Sequence, residues 1–519
     1  MFAKLKSFLK QEQTRARIQR VESSCARMIT AVCVAVSTAV ALYMFVQRFA
    51  HLTNGFQYDE LYSAVTAWPT LPLPFIWKEM LLQDVNLPLF NVSLWGWTRI
   101  FPFTPFWLHL YSALLGALAV VSAWVFAPKY WSLLKKWIFV TLMSGAFILV
   151  AYGAIIRTYS LAILCTTVFS LQALTLLDCL CRRQAPAVSQ WMWFFGAGLA
   201  GAYSHYFSAA LFFAAALILF IYACCYKTGR AWTFWGTAAV FAVWSFWLIH
   251  TLWFMSRPGS SWWFATPVLK ATLDALEFLL GSIRVFTVML YASIIALVSL
   301  AFTDKKEIVK RADVILPLGQ ILLLLLVLSV ISARYNLWLD RYFLPAMPVL
   351  LLLLAEFLVH LYRRHALWLV LWPLLLVCWV HSYLKLDHLH WAEYTGLREA
   401  FSYLTEKMQA PRVFIDMART GYPDAALPYM FNYYVPPGRK LEIIRLTKQN
   451  AADTWRQTPK APILMPLCSH IHLIYTAVEN DIDEDGVPLV FGRDICVYTV
   501  HPIVKKEAAS HEEENIHRV

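Results

Sequence analysis

The sequence predicts a mainly α, polytopic membrane protein of about eleven transmembrane helices, with a large first outer loop and a small C-terminal α/β domain. Three observations carry this expectation. Of 519 residues, 60% are hydrophobic, 16% aromatic and only 15% charged, against roughly 25% charged in an ordinary soluble domain. Apolar runs of about 18 to 22 residues, the length that crosses a bilayer's hydrocarbon, recur from Met28 to Leu384 and then stop. Basic residues fall in short clusters between those runs: Lys4, Lys6, Lys10, Arg15, Arg17 and Arg20 ahead of the first, then Lys135 and Lys136, Arg182 and Arg183, Lys305, Lys306, Lys310 and Arg311, and Arg363 and Arg364. A soluble fold is excluded. The formal charge of +12 is divided among these clusters, which argues against a nucleic-acid partner and marks cytoplasmic loops instead.

Residues 1–27 form a basic, cytoplasmic N-terminus. The first apolar run, about 19 residues, exceeds a signal-peptide core and follows a long charged segment, so it is expected as a retained anchor. Spans are expected near 28–47, 107–127, 137–156, 159–178, 191–204, 206–225, 232–254, 283–303, 313–333, 343–362 and 366–384. The Trp-rich stretch from Leu87 to Phe101 is short, and counting it as a span would place nearly every later basic cluster outside. It is expected as an interfacial helix with Trp95 and Trp97 at headgroup depth. The transmembrane domain is then 28–384, the N-terminus lies inside and the C-terminus outside, and 48–106 is the longest outer loop. A second outer loop, Met255 to Ser282, holds Ser260-Ser261-Trp262-Trp263-Phe264, followed by a helical stretch with Asp274 and Glu277.

Residues 385–519 read as the outer α/β domain. Ala392 to Gln409 and Asp424 to Tyr434 have helical patterns; Arg412 to Asp416, Lys440 to Leu446, Pro462 to Leu467 and Asp494 to Val500 read as strands; Lys505 to Val519 is polar enough for disorder. Ten cysteines are scattered without a CxxC motif. Cys468 and Cys496 alone share the exported tail, either as a disulfide or as two buried thiols.

The chemistry concentrates on the outer face. Asp59 and Glu60 stand in Phe56-Gln57-Tyr58-Asp59-Glu60-Leu61-Tyr62, flanked by aromatics and followed by a helical pattern. Desolvation and mutual repulsion would raise their pKa values and suit one to take a proton from a hydroxyl nucleophile. A helix cap or a solvated acidic pair is the alternative. Lys78, Arg157, Arg334 and Arg341 are cations on the same face, against the orientation rule, and suit a lipid phosphate or pyrophosphate. The alternative for each is a snorkelling or salt-bridged cation, as Arg341 with Asp340. His205, at a short turn between two spans, is either a hydrogen-bonded helix end or a ligand-binding group.

Five strings in order resemble motifs of the integral-membrane glycosyltransferases of the C superfold (GT-C). They are Tyr58-Asp59-Glu60-Leu61-Tyr62-Ser63, Asp84-Val85-Asn86-Leu87-Pro88-Leu89-Phe90, Arg157-Thr158-Tyr159-Ser160-Leu161, His205-Tyr206-Phe207 and Asp340-Arg341-Tyr342-Phe343-Leu344-Pro345. Across the membrane part they resemble the polyprenyl-phosphate-sugar-dependent branch that includes the lipid A aminoarabinose transferase, Rgt-type lipopolysaccharide transferases and protein O-mannosyltransferase-like enzymes. The resemblance implies a bacterial inner-membrane enzyme with a periplasmic C-terminal domain. It would move a hexosyl or pentosyl group from a polyprenyl-phosphate donor to a lipid, lipopolysaccharide or glycan acceptor. It implies Asp59 as catalytic base with Glu60 in support, Asp84 beside donor or acceptor, and Arg157 and Arg341 on the donor phosphate, with Lys78, Tyr159, His205 and Tyr342 as further substrate-binding candidates. Two positions depart from the family's pattern: Asn86-Leu87-Pro88 replaces His-Pro-Pro, and Ile155 stands where a glutamate usually does. The resemblance names no required cofactor and leaves a divalent cation open. The rival from another class is a lipid or sugar transporter, which would carry internal repeats and ionisable groups deep within its spans; a third reading is a non-catalytic scaffold.

Overall fold

A computed structural model of the chain describes residues 2–256, 268–281, 312–332 and 340–407, and in the tail 409, 412–416, 425–426, 429–430, 433–435, 441–446, 463–465, 489–491 and 495–498. The chain divides into two compact units, one of Met1–Asn54 and Thr66–His388, the other of Gly55–Val65 and Leu389–Val519.

The first unit is helical. Its helices are α1 (Phe2–Gln47), α3 (Leu73–Phe75), α4 (Leu89–Trp97), α5 (Pro105–Val125), α6 (Leu133–Gly145), α7 (Phe147–Ala151), α8 (Tyr159–Cys181), α9 (Val188–Ala202), α10 (Tyr206–Tyr226), α11 (Arg230–Met255), α12 (Val268–Leu280), α13 (Ala312–Ser332), α14 (Met347–Arg364) and α15 (Leu371–Ser402), the last continuing into the second unit; α2 (Tyr58–Val65) belongs to the second unit. Among the described residues, eight helical stretches are long and apolar enough to cross a membrane: Ser24–Gln47, Pro105–Val125, Tyr159–Cys181, Tyr206–Tyr226, Arg230–Met255, Ala312–Ile331, Asp340–Arg364 and Ala366–Leu386. The protein is an integral membrane protein.

Three expected spans are not among the eight. The one at 283–303 lies outside the described residues. The one at 191–204 is α9, of 15 residues. The one at 137–156 is broken into α6 and α7 where Ala146 turns to extended backbone (ψ 112°). Such a break strands carbonyls that water cannot reach in a bilayer. Arg48, 2% exposed, answers it: its guanidinium donates to the carbonyls of Met143 (2.8 Å), Ser144 (3.1 Å) and Leu149 (2.7 Å). Burial lowers the Arg48 pKa to about 10. The expected interfacial helix is α4, nine residues, roughly 13 Å at 1.5 Å per residue and too short to span.

Lys135, expected as a cytoplasmic marker, is 3% exposed. Its ammonium lies 2.6 Å from Asp313 and 2.5 Å from Glu356, joining α6, α13 and α14. Tyr130 and Trp131 donate to Asp313 as well. A buried ion group satisfied this fully fastens three helices in one register, and removing one member costs far more than the intact group contributes.

In the second unit, β1 (Arg412–Asp416), β2 (Glu442–Leu446), β3 (Ile463–Met465), β4 (Leu489–Phe491) and β5 (Ile495–Tyr498) form one sheet in the order β2-β1-β3-β5-β4. The β1 pairings are parallel and the β5 pairings antiparallel. The strand patterns expected near 412, 440, 462 and 494 each coincide with a strand; β4, three residues long, has no sequence signal. Cys468 and the Cys496 side chain lie outside the described residues, as do 499–519.

Candidate functional site

In the helical unit, the site starts from the first loop. After α3, a π turn (Ile76–Met80) and a 3₁₀ turn (Leu81–Gln83) end at Asp84, whose backbone is extended. Asp84 is 5% exposed. Its Oδ1 accepts from the amides of Val85 (2.7 Å) and Asn86 (3.3 Å), and its Oδ2 from Asn86 Nδ2 (2.6 Å). Burial raises its pKa, and the Asn86 bonds and the charge of Arg157 oppose that rise.

Three neighbours hold this loop in place. The Tyr206 hydroxyl donates to the Val85 carbonyl (2.6 Å) and meets Thr251 Oγ1 at 2.6 Å. The Leu89 amide donates to Tyr203 O (3.2 Å), and His250 Nε2 lies 3.0 Å from Leu82 O. The loop is thereby tied to α10, α11 and the turn that precedes α10.

That turn carries His205, the N-cap of α10. Its Nδ1 accepts from the Phe207 amide at 3.2 Å, satisfying one of the orphan donors of a helix start. With Nδ1 as acceptor, a neutral ring carries its proton on Nε2. Burial first, and then the like charge of Arg157, push the imidazole pKa down to about 3. The hydrogen-bonded helix end is therefore what His205 is structurally, and its remaining ring nitrogen is a donor.

Arg157 lies half-buried in the short segment between α7 and α8. Its charge acts on both Asp84 and His205, so the loop acid, the inter-helix cation and the helix-capping imidazole form one electrostatic group. Thr158, next in sequence, donates to the Ser204 carbonyl (2.5 Å), and Ser160 to Gly153 O (2.9 Å), which fix the segment at both sides. Aromatic rings complete the group: Tyr159 and Tyr342 each stand beside His205, at centroid distances of 5.9 and 5.8 Å. Tyr342 and the half-buried Arg341 share the 3₁₀ turn Asp340–Ala346 that leads into α14.

Lys78 is placed differently. Its side chain is 80% exposed and pairs with Glu79 at 3.4 Å. Trp77 packs edge-on against Trp247 (5.9 Å) and Trp68 against Phe103 (5.1 Å); Trp262 and Arg334 lie outside the described residues.

The paired carboxylates belong to the second unit, at the start of the eight-residue α2, and the two differ. Glu60 is fully buried, and its Oε2 accepts the Gln57 amide at 2.9 Å. This is the reach-back half of a capping box, with Gln57 as N-cap and Glu60 as its third helical residue. Asp59, in the same turn, is half-exposed. Phe56, ahead of the cap, is fully buried; its amide donates to the Tyr434 hydroxyl at 2.7 Å and its ring meets Tyr433 at 5.1 Å.

The donor set for a divalent cation is thin. Asn86 stands in place of an imidazole and turns its amide onto Asp84, so both carboxylate oxygens are engaged by protein donors. Among the described residues, no three His, Cys, Asp or Glu side chains gather around a common point, the number of protein ligands a catalytic zinc site uses beside its water.

Sequence reasoning missed Arg48, Thr251, His250 and Tyr434. Each is a common residue type whose partner is remote in sequence, so none carries a local signal.

No protein-family model matches the chain, and no curated protein matches it in sequence. Among solved structures it resembles ArnT from Cupriavidus metallidurans in the apo state, with a TM-score of 0.53 and 12% identity over 90% of this chain and 97% of that one. The same protein bound to undecaprenyl phosphate gives 0.51 and 14%, with the same coverage. The chain thus shares its fold with ArnT.

Proposed function

We propose that this protein is a membrane glycosyltransferase that moves a sugar from a polyprenyl-phosphate donor to a cell-envelope acceptor at the periplasmic face of the inner membrane. The observation that carries this reading is the fold shared with ArnT, which has been seen with undecaprenyl phosphate bound. The motif order supports it, as does the grouping of Arg157 with Asp84 and His205.

In this reading, Asp59 takes the proton of the acceptor hydroxyl as that oxygen attacks the anomeric carbon. The bond from that carbon to the donor phosphate breaks, polyprenyl phosphate leaves, and configuration inverts. Arg157 and Arg341 hold the charge that grows on the departing phosphate, and the neutral His205 offers an N–H to the same oxygens. Asp84 positions the donor end of the first loop, and Tyr159 and Tyr342 wall it. Glu60 supports Asp59 by capping the helix that carries it. The sugar is a hexosyl or pentosyl group, and the acceptor a lipid, lipopolysaccharide or glycan.

The test is Asp59→Asn in membranes supplied with a radiolabelled polyprenyl-phosphate sugar. At normal protein level, transfer is expected to fall by about 10²- to 10⁴-fold, the usual contribution of a general base; retained activity sinks the assignment. A transporter is favoured by one observation, the ionisable group Lys135, Asp313 and Glu356 within the helical unit. Its members are mutually compensated by short hydrogen bonds, which suits a fastening better than a moving charge. Sugar–lipid translocation by vesicles without transfer to an acceptor would favour the transporter.

A further inference from the structure

The acidic segment Gly55–Val65 groups with the C-terminal residues Leu389–Val519, although it lies in the first loop by sequence. Its helix, α2, has eight residues, and an isolated helix of under about 12 residues is marginal. Its direction must therefore come from its attachments. On one side, Leu61, Tyr62, Ala64 and Val65 are fully buried. At its entry, two backbone amides are held: Gln57 by the Glu60 carboxylate at 2.9 Å and Phe56 by the Tyr434 hydroxyl at 2.7 Å. Tyr434 also stands against Phe401 (6.2 Å) and Tyr433 (5.0 Å). Its hydroxyl sits close enough to Glu60 for that carboxylate's charge to be felt. Tyr434 thus reaches the helix start from 378 positions away and touches the residue three before Asp59.

We infer that Tyr434 is a positioning residue for the reaction: through the Phe56 amide it sets the rotation of α2, and so the direction of the Asp59 carboxylate. The inference rests on the glycosyltransferase reading for the role of Asp59. It gives the C-terminal unit a part in the chemical step, beyond any part in choosing the acceptor. A base displaced by even 1 Å loses much of its effect, because the reacting atoms must already be aligned. Tyr434→Phe removes only the hydroxyl and keeps the ring between Phe401 and Tyr433.

Three readouts test it in the full-length protein. Amide hydrogen exchange of the peptide spanning 55–65 is expected to accelerate in Tyr434→Phe; unchanged exchange overturns the inference. The kcat for sugar transfer is expected to fall about tenfold, with KM for a polyprenyl-phosphate sugar within twofold of wild type. An unchanged kcat, or a loss confined to KM, overturns it. In an Asp59→Asn background, Tyr434→Phe is expected to cost nothing further, since two residues acting through one step are not additive; a second full tenfold loss means that Tyr434 acts elsewhere. Phe401→Leu, which loosens the wall behind Tyr434, is expected to give the same pattern at smaller amplitude and serves if Tyr434→Phe does not accumulate. If the wild-type protein shows no transfer at all, the functional reading fails. Transfer in wild type with unchanged exchange in the variant fails the inference alone.

Discussion

The group around Arg157 and the segment around Asp59 are built by opposite means. Asp84, Arg157 and His205 sit where helices begin or end, and each neighbourhood is pinned by a bond to a remote segment: Tyr206 to Val85, Thr158 to Ser204, His250 to Leu82. The acidic pair rides on eight residues whose entry is held by its own Glu60 and by Tyr434 from the tail. The first group resembles a preformed receptor for a charged ligand, where rigidity lowers the cost of binding. The second is a short helix whose start is set by those two bonds, so single substitutions there should act on the chemical step. Binding and chemistry would then respond to different mutations.

The largest effect that separates them is expected at Arg157. Arg157→Met removes a cation that acts on both Asp84 and His205. A charge-assisted hydrogen bond contributes about 1.5–3 kcal/mol, so donor affinity should fall on the order of 10- to 100-fold in a binding assay with the polyprenyl-phosphate lipid. Hydrogen exchange of 55–65 should stay at the wild-type rate. Arg157→Lys should recover charge but not the planar fork, and so only part of the affinity. If Arg157→Met alters exchange at 55–65 as strongly as it alters binding, the two regions are not independent.

Next in size is Glu60, where two substitutions ask whether it caps or catalyses. Glu60→Gln keeps an acceptor for the Gln57 amide and should retain most of the activity, whereas Glu60→Ala loses the cap, at about 0.5–2 kcal/mol, and should show lower kcat together with faster exchange at 55–65. Equal, severe loss in both variants would make the charge of Glu60 part of the reaction, and the pair would then work as two carboxylates.

The spans were legible because length and apolarity suffice to define them, as in Ser24–Gln47 or Tyr206–Tyr226. The break in the expected span 137–156 was not. Ala146 is no helix breaker, and the reason the break is tolerated is Arg48, which lies next to a different span and reads as an ordinary flanking cation. For Lys135 the sequence could not show a second role: besides standing at a span's start, it is buried by two carboxylates from α13 and α14. Within the site, the sequence showed that Asn86 departs from an expected histidine but not that its amide would close onto Asp84. The acidic pair was visible as a pair. Its division into a cap and a half-exposed acid required the helix start to be known to the residue.

A smaller effect is expected from Tyr206→Phe, which leaves the Val85 carbonyl and the Thr251 hydroxyl without their shared partner. The loss of one buried hydrogen bond is about 1 kcal/mol net, up to about 3 with the unpaired group. KM for the donor should rise several-fold at nearly constant kcat, because the loop that carries Asp84 loosens while α2 keeps its anchors. A fall in kcat without change in KM would assign this loop to the chemical step and weaken the contrast between the regions.

The smallest expected effect is a pH response at His205, and its sign follows from burial. The folded pKa, about 3, lies below the unpaired value of 6.5. Above pH 6.5 the ring is neutral in both states and contributes no pH dependence. Between 6.5 and 3 the unfolded chain takes up a proton that the folded chain refuses, so acidification destabilises the turn, by at most about 1.4 kcal/mol per pH unit. The thermal inactivation midpoint of the wild-type protein should therefore fall as pH drops from 6.5 to 4.5. In His205→Asn, which retains a good N-cap, the fall should be shallower. Over pH 5.5–8 the activity profile should keep the same shape in both proteins, since His205 stays neutral throughout that range. A wild-type inflection near 6.5 that vanishes in His205→Asn would mean that the imidazole titrates in the working enzyme, and the rigid, uncharged donor ascribed to the helical unit would have to be replaced by a group that exchanges protons.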